Sequence, residues 1–477
     1  MNIVVLSGGT AANALLPAFE SVSRELCFML PISDNGGSTS EILRVVGGPA
    51  IGDVRSRLVR LIHDDALARL LGYRLPNEFV AAKQEWNSIV DGTHDVWVDF
   101  PSEVKDICRS FLVHMQGELL KKHKSSAPFQ FEKASIGNLF LTGVRLFLGS
   151  LDASIELTHR VCRCDEHISV VPCINTNHTH HISALLQNGD VITGQSQISH
   201  PSSQKLKSAR RLRAATPTLC APNASTDSLV VPESFVHLRV QDTSHDGGDS
   251  SHEQTSHAEN VSLSYSSSSE EDEDHEEYAY AGYIHPELKL SQLHFDKLDI
   301  SEDQLLPAPV RRIFYINPYG EEVLPRGNSR AIGKLKTFDM IVYSVGSVVT
   351  SLLPIVILGN VAETIAENSH ANKVLLINNK YDRETFGLNG ADIVQLVVDS
   401  MNRAVHNHRR RRKSNKSESA GDKTIWNKFV TDVVYLERGE IPVDTRTLNA
   451  QGVRTHAVDS DIFDNHMLAN VLSSLQN

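Results

Sequence analysis

Short apolar runs recur along the chain at residues 3–6, 27–32, 168–172, 313–316, 340–344, 374–378 and 430–436, and helix-length stretches separate most of them. A run this short, apolar on both faces, suits a strand buried in a parallel sheet, because crossover helices cover both faces of such a sheet. The alternation therefore predicts an α/β fold with a doubly wound, mostly parallel sheet. A hairpin interrupts it at residues 182–192, where Asn188-Gly189 supplies a pair suited to a tight turn with positive φ. Helices are expected at residues 67–71 and 107–120.

The 477 residues carry a formal net charge of -12, but the imbalance is local. Between Asp242 and Glu277 there are twelve acids and no Lys or Arg, which leaves 46 acids against 46 bases elsewhere. The remainder is neutral, so no nucleic-acid partner is expected. Ser, His, Asp and Glu dominate residues 201–304, a composition that cannot bury enough apolar surface to fold. We read it as a disordered acidic insertion in one large domain whose two parts are residues 1–200 and 305–477. Ser266 to Ser269 run into Glu270 to Asp274, a pattern that suits either an acid-directed kinase or a plain solvated linker. A basic loop insertion is expected at 406–422, where Arg409 to Lys413 are five adjacent bases; a nuclear address is the alternative to a solvated loop.

Six cysteines in this length, with a strand starting at residue 2 instead of a secretory signal, point to a reducing, cytoplasmic setting. Residues 340–362 carry no charge, but Ser, Thr, Gly and Pro interrupt them, so a strand, a polar turn and a buried helix fit better than a membrane span. Cys162, Cys164 and His167, and Cys173 with His178, His180 and His181, lack the paired spacing of a zinc site.

Four glycine-rich turns follow or precede these elements. Gly8-Gly9-Thr10 ends the first run, with Thr10 placed to cap a helix; free N–H groups there would favour an anion. It lacks the third glycine of G-x-G-x-x-G and the Lys of a P-loop, so by itself it reads equally as a structural junction. Asp34-Asn35-Gly36-Gly37-Ser38 ends the second run, at the strand edge where open α/β sheets bind ligands. Gly52-Asp53-Val54-Arg55 opens a helix that Asp53 would cap; Arg55 or Arg57 is misplaced there electrostatically unless it meets a phosphate or pairs with Asp53. Gly346-Ser347, followed by Thr350, is a further anion-type turn. Asn138 and the segment 175–177 offer amides to a base or sugar.

In this order, the turns at Gly8, Asp34, Gly52, Gly137-Asn138-Leu139 and Gly346 resemble those of the 2-phospho-L-lactate transferase superfamily, and within it the gluconeogenesis factor branch. Residues 378–387, with Glu384-Thr385, match a later segment, so the resemblance covers about residues 1–200 and 310–460. It implies a Rossmann-like sheet with a nucleotide or nucleotide sugar of the UDP-N-acetylglucosamine type lying across the strand ends, and a role as metabolic regulator. By the same resemblance Gly8, Gly9 and Thr10 hold phosphate, Asp34, Gly37 and Ser38 line the crevice, Asp53, Arg55 and Asn138 contact the ligand, and Gly346, Ser347 and Thr350 close it. In the transferase branch a phosphorus-containing group moves from a nucleoside diphosphate donor with Mg²⁺ assisting; there Asp34 would hold the metal or orient an acceptor hydroxyl, and Arg55 would stabilise developing charge. A vestigial pocket on an interaction protein is the third expectation. A homo-oligomer is also expected. Ala11 and Asn35 depart from the pattern, standing where the family usually has a glycine and an aspartate, and the loss of one carboxylate weakens a Mg²⁺ site.

Overall fold

The computed structural model describes residues 1–34, 36–199, 305–412 and 425–476. The expected disordered insertion at 201–304 and the part of the basic loop at 413–422 lie outside these residues. Seven strands form the main sheet: β1 (Asn2–Leu6), β2 (Glu25–Leu30), β3 (Ile168–Pro172), β8 (Met340–Tyr343), β9 (Asn372–Leu376), β10 (Asp432–Leu436) and β11 (Arg454–Val458). Their order is β11-β10-β9-β8-β1-β2-β3, and every pairing is parallel. β1 is central, with Val4 opposite Cys27 on one side and Ile341 on the other. From β1 the chain winds outward through β2 and β3, then returns to β1's other side to add β8 to β11. The order thus reverses between β1 and β8, and the crevice at their carboxyl ends is the topological switch point where open α/β sheets take ligands.

The α/β, doubly wound reading stands, with two differences. The run at 313–316 belongs to β6 (Val310–Ile316), which lies in a separate antiparallel sheet ordered β5 (Val191–Thr193), β4 (His181–Leu186), β6, β7 (Glu322–Val323). Only Arg311 is exposed in β6 and Arg312 is partly so, while Ile313 to Ile316 are all buried, which is why this half of β6 reads like a strand of the main sheet. The expected hairpin is β4–β5. β11 escaped the sequence reading because it is polar. Its Arg454 and His456 both reach the fully buried Asp432 of β10, each at 2.8 Å, so a carboxylate holds this edge strand in register.

The uncharged stretch after Asp339 folds as β8, a turn, a π-helical turn (Val348–Leu352) and the helices Leu353–Val356 and Gly359–Glu367, most of it buried in the main core. No single helix among the described residues is long and apolar enough to cross a membrane. The basic loop is corrected in part: residues 406–412 are the last turns of helix Gly390–Arg412, where Glu363 pairs with His408, Arg409 and Arg412. Helices Asp65–Gly72 and Ser102–Lys121 cover the two expected helical segments. The five described cysteines are buried and free, and no cluster of three metal-binding side chains occurs among the described residues.

One buried cation gives a pH test of the core. Lys373 on β9 is 2% exposed and donates to the Lys428 carbonyl at 2.7 Å, and burial pulls its pKa from 10.5 to about 8. Between those values the unfolded chain binds a proton that the folded chain has released. The contribution of Lys373 to stability therefore rises with pH from about 8 to 10.5, and below that window its burial penalty stands in full. Denaturant titrations across the window should show a steeper rise with pH for the parent chain than for Lys373→Met; equal slopes would contradict the assignment.

Candidate functional site

The four turns meet at the switch point. After β1, Gly8 and Gly9 are buried between two neighbours. A Cβ on Gly8 would lie 2.5 Å from the Ser351 hydroxyl, and one on Gly9 would lie 2.6 Å from the Asp53 Cα, so both glycines let protein pack on protein. The Gly9 N–H donates to Asp53 Oδ1 at 2.8 Å, and Ser56 donates to the Gly9 carbonyl at 3.1 Å. Asp53 therefore does not cap its helix as expected. It sits inside helix Gly52–Arg60, and its carboxylate clamps the first turn. Thr10 is exposed and makes no side-chain capping bond; the segment it precedes is a 3-10 turn, Ala11–Leu15, before the α-helix Leu16–Val22.

After β2, Asp34 Oδ1 accepts the Gly36 N–H at 3.0 Å, and Gly37 takes φ +54°, the left-handed region a glycine enters at little cost. Helix Gly37–Val45 follows with no side-chain cap on its first turn. A Cβ on Gly52 would meet the Thr39 hydroxyl at 2.8 Å and Asp34 Oδ2 at 3.9 Å, so the second turn also leans on the start of helix Gly52–Arg60.

Asn138 ties these parts together. It is fully buried, its Nδ2 donates to the Ser38 hydroxyl at 2.7 Å, and its Oδ1 accepts Arg55 Nε at 3.2 Å, with the amide orientation assigned from those partners. Arg55 is half-buried. Burial and the like charge of Arg74 lower its pKa, and Asp53 opposes them. Arg57, the other candidate for phosphate, is corrected: it is fully buried, its guanidinium lies 3.9 Å over the Phe28 ring, and none of its nitrogens has a hydrogen-bond partner. Burial pulls its pKa down to about 10 against the charges of Asp53 and Glu20. A side chain enclosed in this way cannot reach a ligand in the crevice. Asn177 is likewise engaged, donating to the Gly149 carbonyl at 2.6 Å.

The turn after β8 abuts the first, since a Cβ on Gly346 would lie 3.4 Å from that of Ala11. Gly346 donates its N–H to Asn378 Oδ1 at 3.0 Å and accepts from Asn378 Nδ2 at 2.7 Å. Ser347 accepts the Thr350 N–H at 2.9 Å, capping the π-helical turn. The hydroxyls of Ser347, Thr350 and Ser199 all converge on Glu384, with Thr350 at 2.9 Å and Ser199 at 2.5 Å. Glu384 is 4% exposed; burial and the charge of Asp382 raise its pKa against those three hydrogen bonds. Glu384, Asn378 and Ser199 were not singled out from the sequence as site residues. Only the match of residues 378–387 to a family segment pointed towards the first two, and Ser199 carried no signal.

One cavity lies elsewhere, between β6 and helix Gly390–Arg412, and a neighbouring cleft is lined by residues 324–336 and helices Gly359–Glu367 and Gly390–Arg412; neither shares a residue with the four turns. The turns form a junction at the strand ends, built around Arg55, Asp34 and the start of helix Gly37–Val45, which has no side-chain cap.

Comparison with known proteins gives four results. A family model described as 2-phospho-L-lactate transferase CofD matches residues 3–473. An uncharacterized protein of Saccharomyces cerevisiae is 54% identical over 480 residues, covering 100% of this chain and 99% of the yeast protein. A Thermotoga maritima protein named "Putative gluconeogenesis factor" is 25% identical over 179 residues, 36% of this chain and 56% of its own. Among solved structures, a Bacillus halodurans protein titled a member of the upf0052 family aligns over 99% of this chain and 98% of its own, with a TM-score of 0.54 and 15% identity, a likeness of fold alone.

Proposed function

Because the chain belongs to the 2-phospho-L-lactate transferase CofD family, we propose that it binds a nucleotide or a nucleotide sugar of the UDP-N-acetylglucosamine type across the carboxyl ends of β1, β2 and β8, and acts as a metabolic regulator of the gluconeogenesis factor type. Arg55 carries the reading. It is a half-buried cation hydrogen-bonded to a neutral amide, with Arg74 adding like charge against the charge of Asp53, whose Oδ1 already holds the Gly9 N–H, and Asn138 fixes it against Ser38 of the second turn. A diphosphate would supply the anion this arrangement favours, with N–H groups at the start of helix Gly37–Val45 as further donors.

The similarity to proteins named as gluconeogenesis factors supports the regulator reading. Asp53 is tied to Gly9, and Ser347 and Thr350 to Glu384, so these expected ligand contacts also hold the turns together. The family description favours a second reading, a transferase of phosphorus-containing groups. In it Arg55 would stabilise charge developing on the transferred group, and Asp34 would orient an acceptor hydroxyl. The residues fit Mg²⁺ only as an ion carried mainly by the ligand's phosphates. Asp34 has one oxygen on the Gly36 N–H, and no three metal-binding side chains cluster among the described residues. When bound, the ion would neutralise the diphosphate.

Isothermal titration with UDP-N-acetylglucosamine, GDP and GTP, with and without Mg²⁺, separates the readings. Saturable heat without turnover is the expected result. Mg²⁺-dependent product would establish the transferase instead, and no heat from any nucleotide would leave the vestigial pocket.

A further inference from the structure

On the far side of helix Gly390–Arg412 a groove runs between that helix and β6. Arg312 and Phe314 wall it from β6, Arg403 and Arg411 from the helix, and Leu324 and Pro325 give it an apolar lip. It opens into a wider cleft lined by Arg326, Lys336 and Arg412. Its positive charge is under-compensated. Glu363 is shared among His408, Arg409 and Arg412, Glu367 adds a second contact to Arg409 at 3.5 Å, and Glu322 is taken up by both terminal nitrogens of Arg312, at 2.7 and 2.9 Å. Among the described residues neither Arg403 nor Arg411 makes an ion pair; Arg403 is half-buried, and the like charges of Arg312 and Arg311 act on it against those of Asp399 and Glu322.

We propose that the acidic segment from Asp242 to Glu277 of this same chain docks in this groove, its carboxylates pairing with Arg403, Arg411 and the neighbouring guanidiniums. Two facts select this occupant. The segment has twelve acids and no Lys or Arg, the complement of the groove. The chain also re-enters the described structure at Leu305, just before β6, whose Arg312 walls the groove. The acids are thus tethered at the groove's edge, and residues 278–304 reach it easily at up to about 3.3–3.6 Å per extended residue. Tethering replaces a second-order encounter by a high effective concentration, so modest contacts suffice.

Energy transfer tests the contact in the full chain. Dyes are placed at Ser269→Cys and at the exposed His406→Cys, with Cys220→Ser, since the five described cysteines are buried. Transfer is expected to fall by about half as salt rises from about 0.1 M to about 1 M, when the screening length drops from about 10 to about 3 Å. R403E/R411E should lower it at low salt and abolish the salt response, and replacing the acids at 270–274, 276 and 277 by their amides should do the same from the other partner. Transfer or a salt response that R403E/R411E leaves unchanged would overturn the proposal. A signal that grows with protein concentration would overturn it too, by assigning the groove to a second copy.

Discussion

Replacing Arg55 by alanine is expected to weaken nucleotide binding about 10- to 100-fold, because a hydrogen bond to a charged group is worth about 1.5–3 kcal/mol. The same change should leave thermal stability nearly unaltered. It removes a donor from Asn138 Oδ1, which costs stability, but it also removes a half-buried cation whose charged form burial and Arg74 both disfavour, so the two effects oppose each other. Arg55→Lys keeps the charge and loses the Nε bond that fixes it, so an intermediate affinity is expected. Titration of all three proteins with the same nucleotide measures this, and an affinity unchanged in Arg55→Ala would remove Arg55 from the site.

The largest loss of stability is expected from Gly137→Ala. Alanine in place of glycine inside a helix is ordinarily worth up to about 1 kcal/mol of stabilisation. At Gly137 that gain is overwhelmed, since a Cβ would stand 2.1 Å from the Leu71 carbonyl oxygen and 3.0 Å from Arg55 Cδ. Helix Ile136–Leu148 would have to move away from helix Asp65–Gly72, and such overpacking costs about 1–3 kcal/mol or more. Gly117→Ala is the control, because nothing lies within 4 Å of its Cβ in helix Ser102–Lys121, and there the propensity gain should appear. Denaturant melts should therefore move in opposite directions for the two variants. A neutral Gly137→Ala would mean that the contact with Leu71 is looser than described. The destabilised variant should also bind nucleotide more weakly, since the same Cβ displaces Arg55.

Much of the main sheet was legible because its strands announce themselves. β1, β2, β3, β8, β9 and β10 are mostly buried on both faces, and each carries an apolar run that suits that environment, although β9 and β10 carry the buried Lys373 and Asp432 near their starts. β11 was illegible for the opposite reason: its attachment depends on Arg454 and His456 meeting a buried Asp432, a pairing between positions that no local pattern connects. β6 looked like another strand of the same sheet because Ile313 to Ile316 are all buried; that it pairs with β4 instead is a choice of partner that no local pattern carries. The arginine run after His408 resembled a loop by charge alone, yet its first part continues a helix because Glu363 and Glu367 lie opposite it.

The candidate site divides in the same way. The glycine-rich turns and their order along the chain were determined by the sequence itself, because a strand end followed by glycine and a helix start is a local signal. What each residue does there was decided by tertiary structure. Gly8 and Gly9 were expected to open the backbone to an anion; they admit Ser351 and Asp53. Asp53 was expected to cap a helix and instead holds Gly9, while Arg57, two positions after Arg55 and facing another way, is buried on Phe28. Residues two apart on a helix point in different directions, and which one meets the crevice depends on where the sheet lies beneath the helix. The sequence of this protein specified most of its strands, the turns and the charge of its segments; only the packing of helix Gly52–Arg60 against Gly9 and Phe28 of β2 sorted one arginine to the crevice and the other to the core.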